Sequence, residues 1–229
     1  MKAEKSVGIL GGMGPEATVE LLRRIVAGTK AAVDNDHIRC IVDQNSKVPN
    51  RVDAIQGRIP SAGPVLADMA RRLEAYGADM LCMPCNTAHY YLDEIRAASR
   101  LPFVDMLNCT ALRVRERYPA AKQAAVLCTV GTRSTGLDEQ RLAKYGIEAV
   151  YPDAAQQEIV TAIIAGVKGG QDVGPLKAQF QQVIDTMLSP HTPVCIAACT
   201  ELSVICPQHP AVVDALDALV DALITAVKG

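Results

Sequence analysis

The 229-residue chain has no lysine–arginine run longer than two and a formal net charge of only −2. It therefore lacks the electrostatic footprint with which proteins hold nucleic acid or an anionic membrane surface. No uninterrupted apolar stretch approaches the ~18 residues of a spanning helix. Residues 1–6 carry two lysines and a glutamate and lead straight into Val7-Gly8-Ile9-Leu10, without the apolar segment and small-residue cleavage site of a secretion signal. These absences argue against a nucleic-acid or membrane partner and leave the expectation of a cytoplasmic protein acting on a small molecule.

What is present suits a folded α/β protein: 49% hydrophobic residues, 21% charged, with glycine and proline spread along the chain. There are eight cysteines. In a reducing compartment these read as buried small side chains and a few reactive thiols rather than disulfides, so the question is which of them carry chemistry.

Short apolar runs predict strands over Ser6–Leu10, Ile38–Asp43, Asp79–Met83, Pro102–Asp105, Ala124–Thr129, Ile147–Val150 and Pro193–Ala198. Amphipathic stretches between them predict helices over Pro15–Ala32, Ser61–Tyr76, Ala88–Ser99, Asn108–Tyr118, Gly136–Tyr145, Ala154–Val167 and Gly174–Leu188, with a further helix near Ala211–Val227. Buried strands alternating with helices imply parallel sheets covered on both faces.

The chain also repeats itself weakly. Ile9-Leu10-Gly11-Gly12-Met13-Gly14 and Val126-Leu127-Cys128-Thr129-Val130-Gly131 each end a strand in a turn, offset by 117, and Cys85-Asn86-Thr87 and Cys199-Thr200-Glu201 each follow an apolar strand, offset by 114. The expected fold is thus α/β with two pseudo-symmetric lobes, each a mostly parallel sheet flanked by helices. Residues 1–104 with the returning segment 208–229 would form the first lobe, and 105–207 the second. Because ligands of such sheets sit beyond the carboxyl ends of the strands, the active site is expected in the interlobe cleft.

Cys85 stands at a strand end before a helix expected to start near Ala88, where unpaired N–H groups and the helix dipole would favour a thiolate. Cys199 repeats the arrangement. One strand-end cysteine among eight is more often a packing residue than a catalyst, and Cys40, Cys109, Cys128 and Cys195 read that way. Two in matching positions are different. Inverting a stereocentre requires removing a proton from one face and returning one to the other, which two thiols can do by exchanging roles at each turnover.

Three other chemistries are open at this stage. Gly12-x-Gly14-x-x-Ala17 followed by Asp43 has the form of a dinucleotide fingerprint, although Pro15 sits in the phosphate turn and the acid lies further on than the usual ~20 residues. Cys82-Met83-Pro84-Cys85 has the form of a dithiol redox site, with Cys82 placed inside the strand. Cys82, Cys85 and His89, or Cys206 and His209, would give only part of a zinc site, so no metal is expected.

The segments Leu10-Gly11-Gly12-Met13-Gly14-Pro15-Glu16-Ala17-Thr18, Pro84-Cys85-Asn86-Thr87-Ala88-His89 and Ala198-Cys199-Thr200-Glu201-Leu202 resemble, in order and spacing, the three signatures of the aspartate/glutamate racemase superfamily, most of all its aspartate racemase branch. The resemblance covers essentially the whole chain. It implies a homodimeric enzyme without pyridoxal phosphate, metal or nucleotide, acting on a small acidic amino acid through Cys85 and Cys199. It places Gly12 and Met13 under the substrate, the glycine letting backbone N–H groups approach a carboxylate, and Thr200 and Glu201 around it; Asn86 and Thr87 either cap the helix after Cys85 or hydrogen-bond a ligand carboxylate. Val48-Pro49-Asn50-Arg51 resembles the segment whose arginine binds the side-chain carboxylate, with Asn50 where the family usually has Asp. Lys168 matches a substrate-positioning lysine, or is otherwise a helix-end cation. Thr129 and Thr132 match cleft-lining positions, or are otherwise turn and cap residues. His89 either tunes Cys85 or serves hydrogen bonding within its lobe. The superfamily also contains hydantoin racemases, maleate isomerases and arylmalonate decarboxylases, so another isomerase or lyase, or a broad-specificity amino-acid racemase, is the alternative. A purely amino-acid-binding protein would have no need of two opposed thiols.

Overall fold

Eight short strands, each followed by helix, make two four-stranded parallel sheets in a computed structural model describing residues 5–229. The first sheet contains β1 (Val7–Gly11), β2 (Cys40–Gln44), β3 (Met80–Cys82) and β4 (Phe103–Val104), in the order β2-β1-β3-β4. The second contains β5 (Gln123–Leu127), β6 (Glu148–Val150), β7 (Cys195–Ala197) and β8 (Val212–Asp214), in the order β6-β5-β7-β8. The second order is the first with every number raised by four, which is the topological form of the weak internal repeat. The registers Ile9↔Cys82 and Leu127↔Ala197 end the central pair of each sheet. In each sheet the winding direction reverses between these two strands, so their carboxyl ends flank the crevice where such sheets take ligands.

Two compact units result, one running to Met106 and resumed by Leu219–Gly229, the other Leu107–Ala218. The segment 208–229, expected to return as a whole to the first lobe, does not. Val212–Asp214 pairs with β7 through Cys195↔Val212 and extends the second sheet. Three residues are too few to show a strand period, and Val212-Val213 merges with the apolar stripe of the following helix, Ala215–Lys228.

Alternation along the central strands explains how the second sheet is covered. Ala125, Leu127, Cys195 and Ala197 face one way, onto Val160, Ile163, Phe180 and Ile184 of the helices Ala154–Lys168 and Val173–Met187. Ala124, Val126, Val194 and Ile196 face the other, onto Ala111, Val114 and Leu142. In the first unit, Leu10, Leu81 and Met83 pack with Leu66, Met69 and Leu73 of helix Gly63–Ala75. Each fully buried aliphatic or aromatic side chain contributes roughly 1.5–3 kcal/mol.

The turn after β1 requires glycine. Gly12 has φ +90°, and a Cβ there would lie 2.4 Å from the Asn45 carbonyl carbon and 2.5 Å from its oxygen. Backbone on that side cannot swing away as a side-chain end would. Gly12→Ala is therefore expected to cost about 3 kcal/mol or more, strain and overpacking combined. Chemical denaturation would show this as a lower midpoint; an unchanged midpoint would mean that the turn rearranges freely.

Candidate active site

In the first unit Cys85 lies three residues beyond β3 and is 6% exposed. Its own N–H turns back to the Met83 carbonyl at 2.9 Å. The expected α-helix starting near Ala88 is instead a 3-10 segment, Thr87–Tyr91, followed by the α-helix Leu92–Ala98. Cys85 thus faces a short turn with few aligned peptide dipoles, so the dipole argument for a thiolate loses most of its weight there.

His89 holds this loop. Met106 donates its N–H to His89 Nε2 at 3.3 Å, and since a backbone N–H can only donate, the proton of the neutral ring sits on Nδ1, 2.9 Å from the Cys85 carbonyl. Asp105 Oδ1, 3.8 Å from Nε2, is too far for a hydrogen bond. Nδ1 therefore meets the Cys85 backbone, the within-lobe role of the two considered.

Asn86 is 3% exposed, and neither its amide nitrogen nor its amide oxygen finds a partner among the described residues. An orphaned buried amide costs roughly 1–3 kcal/mol, a cost that a ligand bringing both a donor and an acceptor would remove. Thr87, 7% exposed, follows it.

On the β1 side, Met13 is 3% exposed and packs in the same core cluster as Cys85. The Gly12 N–H does not offer itself to a carboxylate, because Thr18 Oγ1 accepts it at 2.9 Å. What the glycine supplies is the close approach to Asn45.

Asn50 is the N-cap of the helix Arg51–Ile55, its Oδ1 accepting from Val52 N–H at 3.0 Å and Asp53 N–H at 3.3 Å. Asp and Asn cap about equally well, so this departure from the family pattern leaves the local backbone intact. Arg51 Nη1 donates to the Val48 and Pro49 carbonyls at 3.1 and 3.0 Å. Among the described residues no carboxylate pairs with it.

In the second unit Cys199 lies two residues beyond β7, one residue nearer its strand than Cys85 is to β3, and is also 6% exposed. Its Sγ donates to Glu201 Oε2 at 3.0 Å, and Glu201 Oε1 lies 3.5 Å from Lys168 Nζ at the end of helix Ala154–Lys168. Burial first, and then the Glu201 carboxylate, push the Cys199 thiol well above the ordinary range, with the Lys168 ammonium opposing them. The thiolate expected at this strand end is therefore corrected to a thiol at rest. Sequence reasoning placed Glu201 against substrate, whereas the structure turns one of its oxygens to the thiol and the other to Lys168. The signal was available: two residues after a buried cysteine, at the start of the short helix Thr200–Val204, a carboxylate can fold back onto the sulfur.

Thr200 is 2% exposed beside Cys199. Thr129 is the N-cap of Val130–Ser134, accepting from Thr132 N–H at 3.0 Å with the two hydroxyls also 3.0 Å apart. Of the two roles considered for these threonines, the cap is the one on view.

The remaining thiols differ in kind. Burial pushes Cys40 up to about 11, Cys195 up to about 12 and Cys128 well above the usual value, which suits inert packing residues. Cys82, at the end of β3, has no exposed surface.

Comparison with known proteins now decides among the chemistries left open. A family model described as Asp/Glu/Hydantoin racemase matches residues 10–223, spanning both strand-end cysteines. The chain belongs to that family. The dinucleotide, dithiol and zinc readings lose their basis with it, because both cysteine motifs and the Gly12 turn fall within one racemase pattern.

Among racemases of known structure, the aspartate racemase of Picrophilus torridus superposes with a TM-score of 0.86 at 31% identity, covering 98% of this chain and 94% of that one. The broad specificity amino-acid racemase RacX of Bacillus subtilis (strain 168) is 29% identical over 87% of this chain and 86% of its own length. A glutamate racemase from Campylobacter jejuni shares the fold, with a TM-score of 0.67 at 19% identity, covering 96% and 85%. The expected pair of parallel α/β lobes is the fold of this racemase family.

Proposed function

We propose that this racemase interconverts L- and D-aspartate without a cofactor, with Cys85 and Cys199 acting on opposite faces of the α-carbon. The observation that carries the reading is the placement of two nearly buried thiols two to three residues after the third strand of each repeated sheet. In one direction Cys85 removes the α-proton while Cys199, held as a thiol by burial and by Glu201, delivers one; in the other the roles exchange. Asn86, with both amide atoms unpartnered, Thr87 and Thr200 receive the α-carboxylate and stabilise the charge developing in the transition state. The remaining donors of Arg51 suit the distal carboxylate.

The aspartate racemase among the similar structures supports the substrate, and RacX supports a second reading, a broader range of amino acids. The enzyme works as a homodimer in the cytoplasm, a compartment that keeps cysteines such as its eight out of disulfides.

Incubation with L-aspartate, L-glutamate and neutral amino acids in deuterium oxide, with no added cofactor, is expected to give α-deuterated D-product, fastest from aspartate. Comparable rates on neutral amino acids would favour the broad-specificity reading. No α-deuterium in any substrate would sink both.

A further inference from the structure

Each cysteine turn runs into a helical segment too short to hold itself. Thr87–Tyr91 follows Cys85 and Thr200–Val204 follows Cys199, five residues apiece, and a single helical turn fixes its backbone for very few hydrogen bonds. What orients each thiol is therefore what ties that turn to its surroundings. The internal repeat points to the tie. His89 and Ser203, both four residues past their cysteines, are offset by the same 114 as Cys85 and Cys199. Each approaches an aspartate at the end of the fourth strand of its own sheet, Asp105 directly after β4 and Asp214 as the last residue of β8.

The two side chains have little chemistry in common, yet they complete the same connection. In the first unit the His89 ring spans the gap alone. Its Nδ1–H donates to the Cys85 carbonyl at 2.9 Å, and its Nε2 accepts at 3.3 Å the N–H of Met106, which opens the helix Met106–Arg117. In the second unit the Cys199 carbonyl accepts the Ser203 N–H at 3.2 Å. The serine side chain is shorter than a histidine ring, and Asp214 completes the reach. Ser203 Oγ donates to Asp214 Oδ1 at 2.5 Å, and the same oxygen accepts at 2.8 Å the N–H of Leu216, in the first turn of the helix Ala215–Lys228. Both residues are buried, and 2.5 Å is the length of a charge-assisted O–H···O⁻ bond. Each link thus runs from a cysteine carbonyl to the first turn of the helix that follows the fourth strand.

We propose that Ser203, through Asp214, is the positioning residue for Cys199, as His89 is for Cys85: each link sets the angle at which its thiol meets the α-carbon. The inference rests on the two-cysteine reading of the preceding section. The short helix Thr200–Val204 also carries Glu201, whose carboxylate accepts from the Cys199 thiol at 3.0 Å, so a rotation of that turn displaces the sulfur and its partner together.

The ratio of exchange to inversion, measured in deuterium oxide from each enantiomer of aspartate, tests it. A thiolate takes the α-proton and leaves the electron pair on carbon, and the new thiol trades that proton for a solvent deuteron. The carbanion then takes a deuteron either from the opposite thiol, which inverts the centre, or from the same one, which does not. Ser203→Ala removes one oxygen from the link and leaves both thiols in place. It is expected to slow proton transfer at Cys199 by about tenfold or more. From the enantiomer whose α-proton faces Cys85, exchange without inversion should rise by the same factor relative to inversion, and from the other it should not rise. Cys199→Ser identifies that enantiomer independently, as the one into which it washes deuterium. His89→Leu, which fills the space of the ring and gives up both its hydrogen bonds, should raise the ratio for the opposite enantiomer. A Ser203→Ala enzyme with wild-type rates would overturn the assignment. So would one slowed with the ratio unchanged for both enantiomers, since a merely loosened fold has no preference between faces. A wild type that neither exchanges nor inverts any amino acid would instead remove the catalytic reading beneath it.

Discussion

If Cys85 and Cys199 are the two acid/base groups as proposed, serine at either is expected to lower kcat for net racemisation by about 10³-fold or more, since each position then supplies a proton transfer worth ~10²–10⁴ and a hydroxyl is far too weak an acid to exchange roles with a thiol. The two variants should nevertheless differ from an inert protein. With Cys199 replaced, Cys85 still reaches the α-proton of one enantiomer and returns a deuteron to the same face. With Cys85 replaced, the reverse holds for the other. Each variant should thus wash deuterium into a single enantiomer without inverting it, and the two should choose opposite enantiomers. Both single variants racemising at the normal rate would remove the two-base assignment. Cys82→Ser, by contrast, alters a thiol with no exposed surface at the end of β3 and should leave turnover nearly unchanged.

What the sequence revealed and what it hid divide along physical lines. The central strands β1, β3, β5 and β7 were readable because they are buried on both faces and appear as continuous apolar runs. Cys85 and Cys199 could be singled out because the repeat put them at matching strand ends, information no single thiol carries. β8 was hidden because three residues show no period. The turn Thr87–Tyr91 read as α-helix because hydrophobic spacing over five residues scarcely separates a 3-10 from an α turn. Side-chain partners were the least legible. The Gly12 N–H is taken by Thr18, Asn50 caps a five-residue helix, and His89 bonds the Cys85 carbonyl. Each of these depends on distances of tenths of an ångström, which motif spacing does not encode. Glu201 is the instructive case, since the right residue was named for a contact with substrate and proves to touch the sulfur and Lys168.

That contact has a testable consequence in the pH dependence. The group raised in the folded protein is the Cys199 thiol, by burial and by the Glu201 carboxylate, so its proton stays on to higher pH than an ordinary thiol's. In the proposed mechanism the competent free enzyme carries one proton shared between two thiols, and kcat/KM falls on the alkaline side when that last proton leaves, at a value belonging to the pair. Glu201→Gln removes the negative charge while Lys168 remains, and both changes favour the thiolate. The alkaline limb should therefore move to lower pH by about one unit or more. Because the enantiomers have equal free energy in water, kcat/KM must be the same in both directions at every pH. The shift must then appear identically for L and D substrate, although the separate kcat values need not match. Lys168→Met removes the opposing charge and should move the same limb the other way. A Glu201 that merely held the helix Thr200–Val204 in place would lower activity evenly across pH. A carboxylate binding substrate would raise KM and leave the alkaline limb where it was. Only a carboxylate setting the proton affinity of Cys199 moves that limb in opposite directions in the two variants.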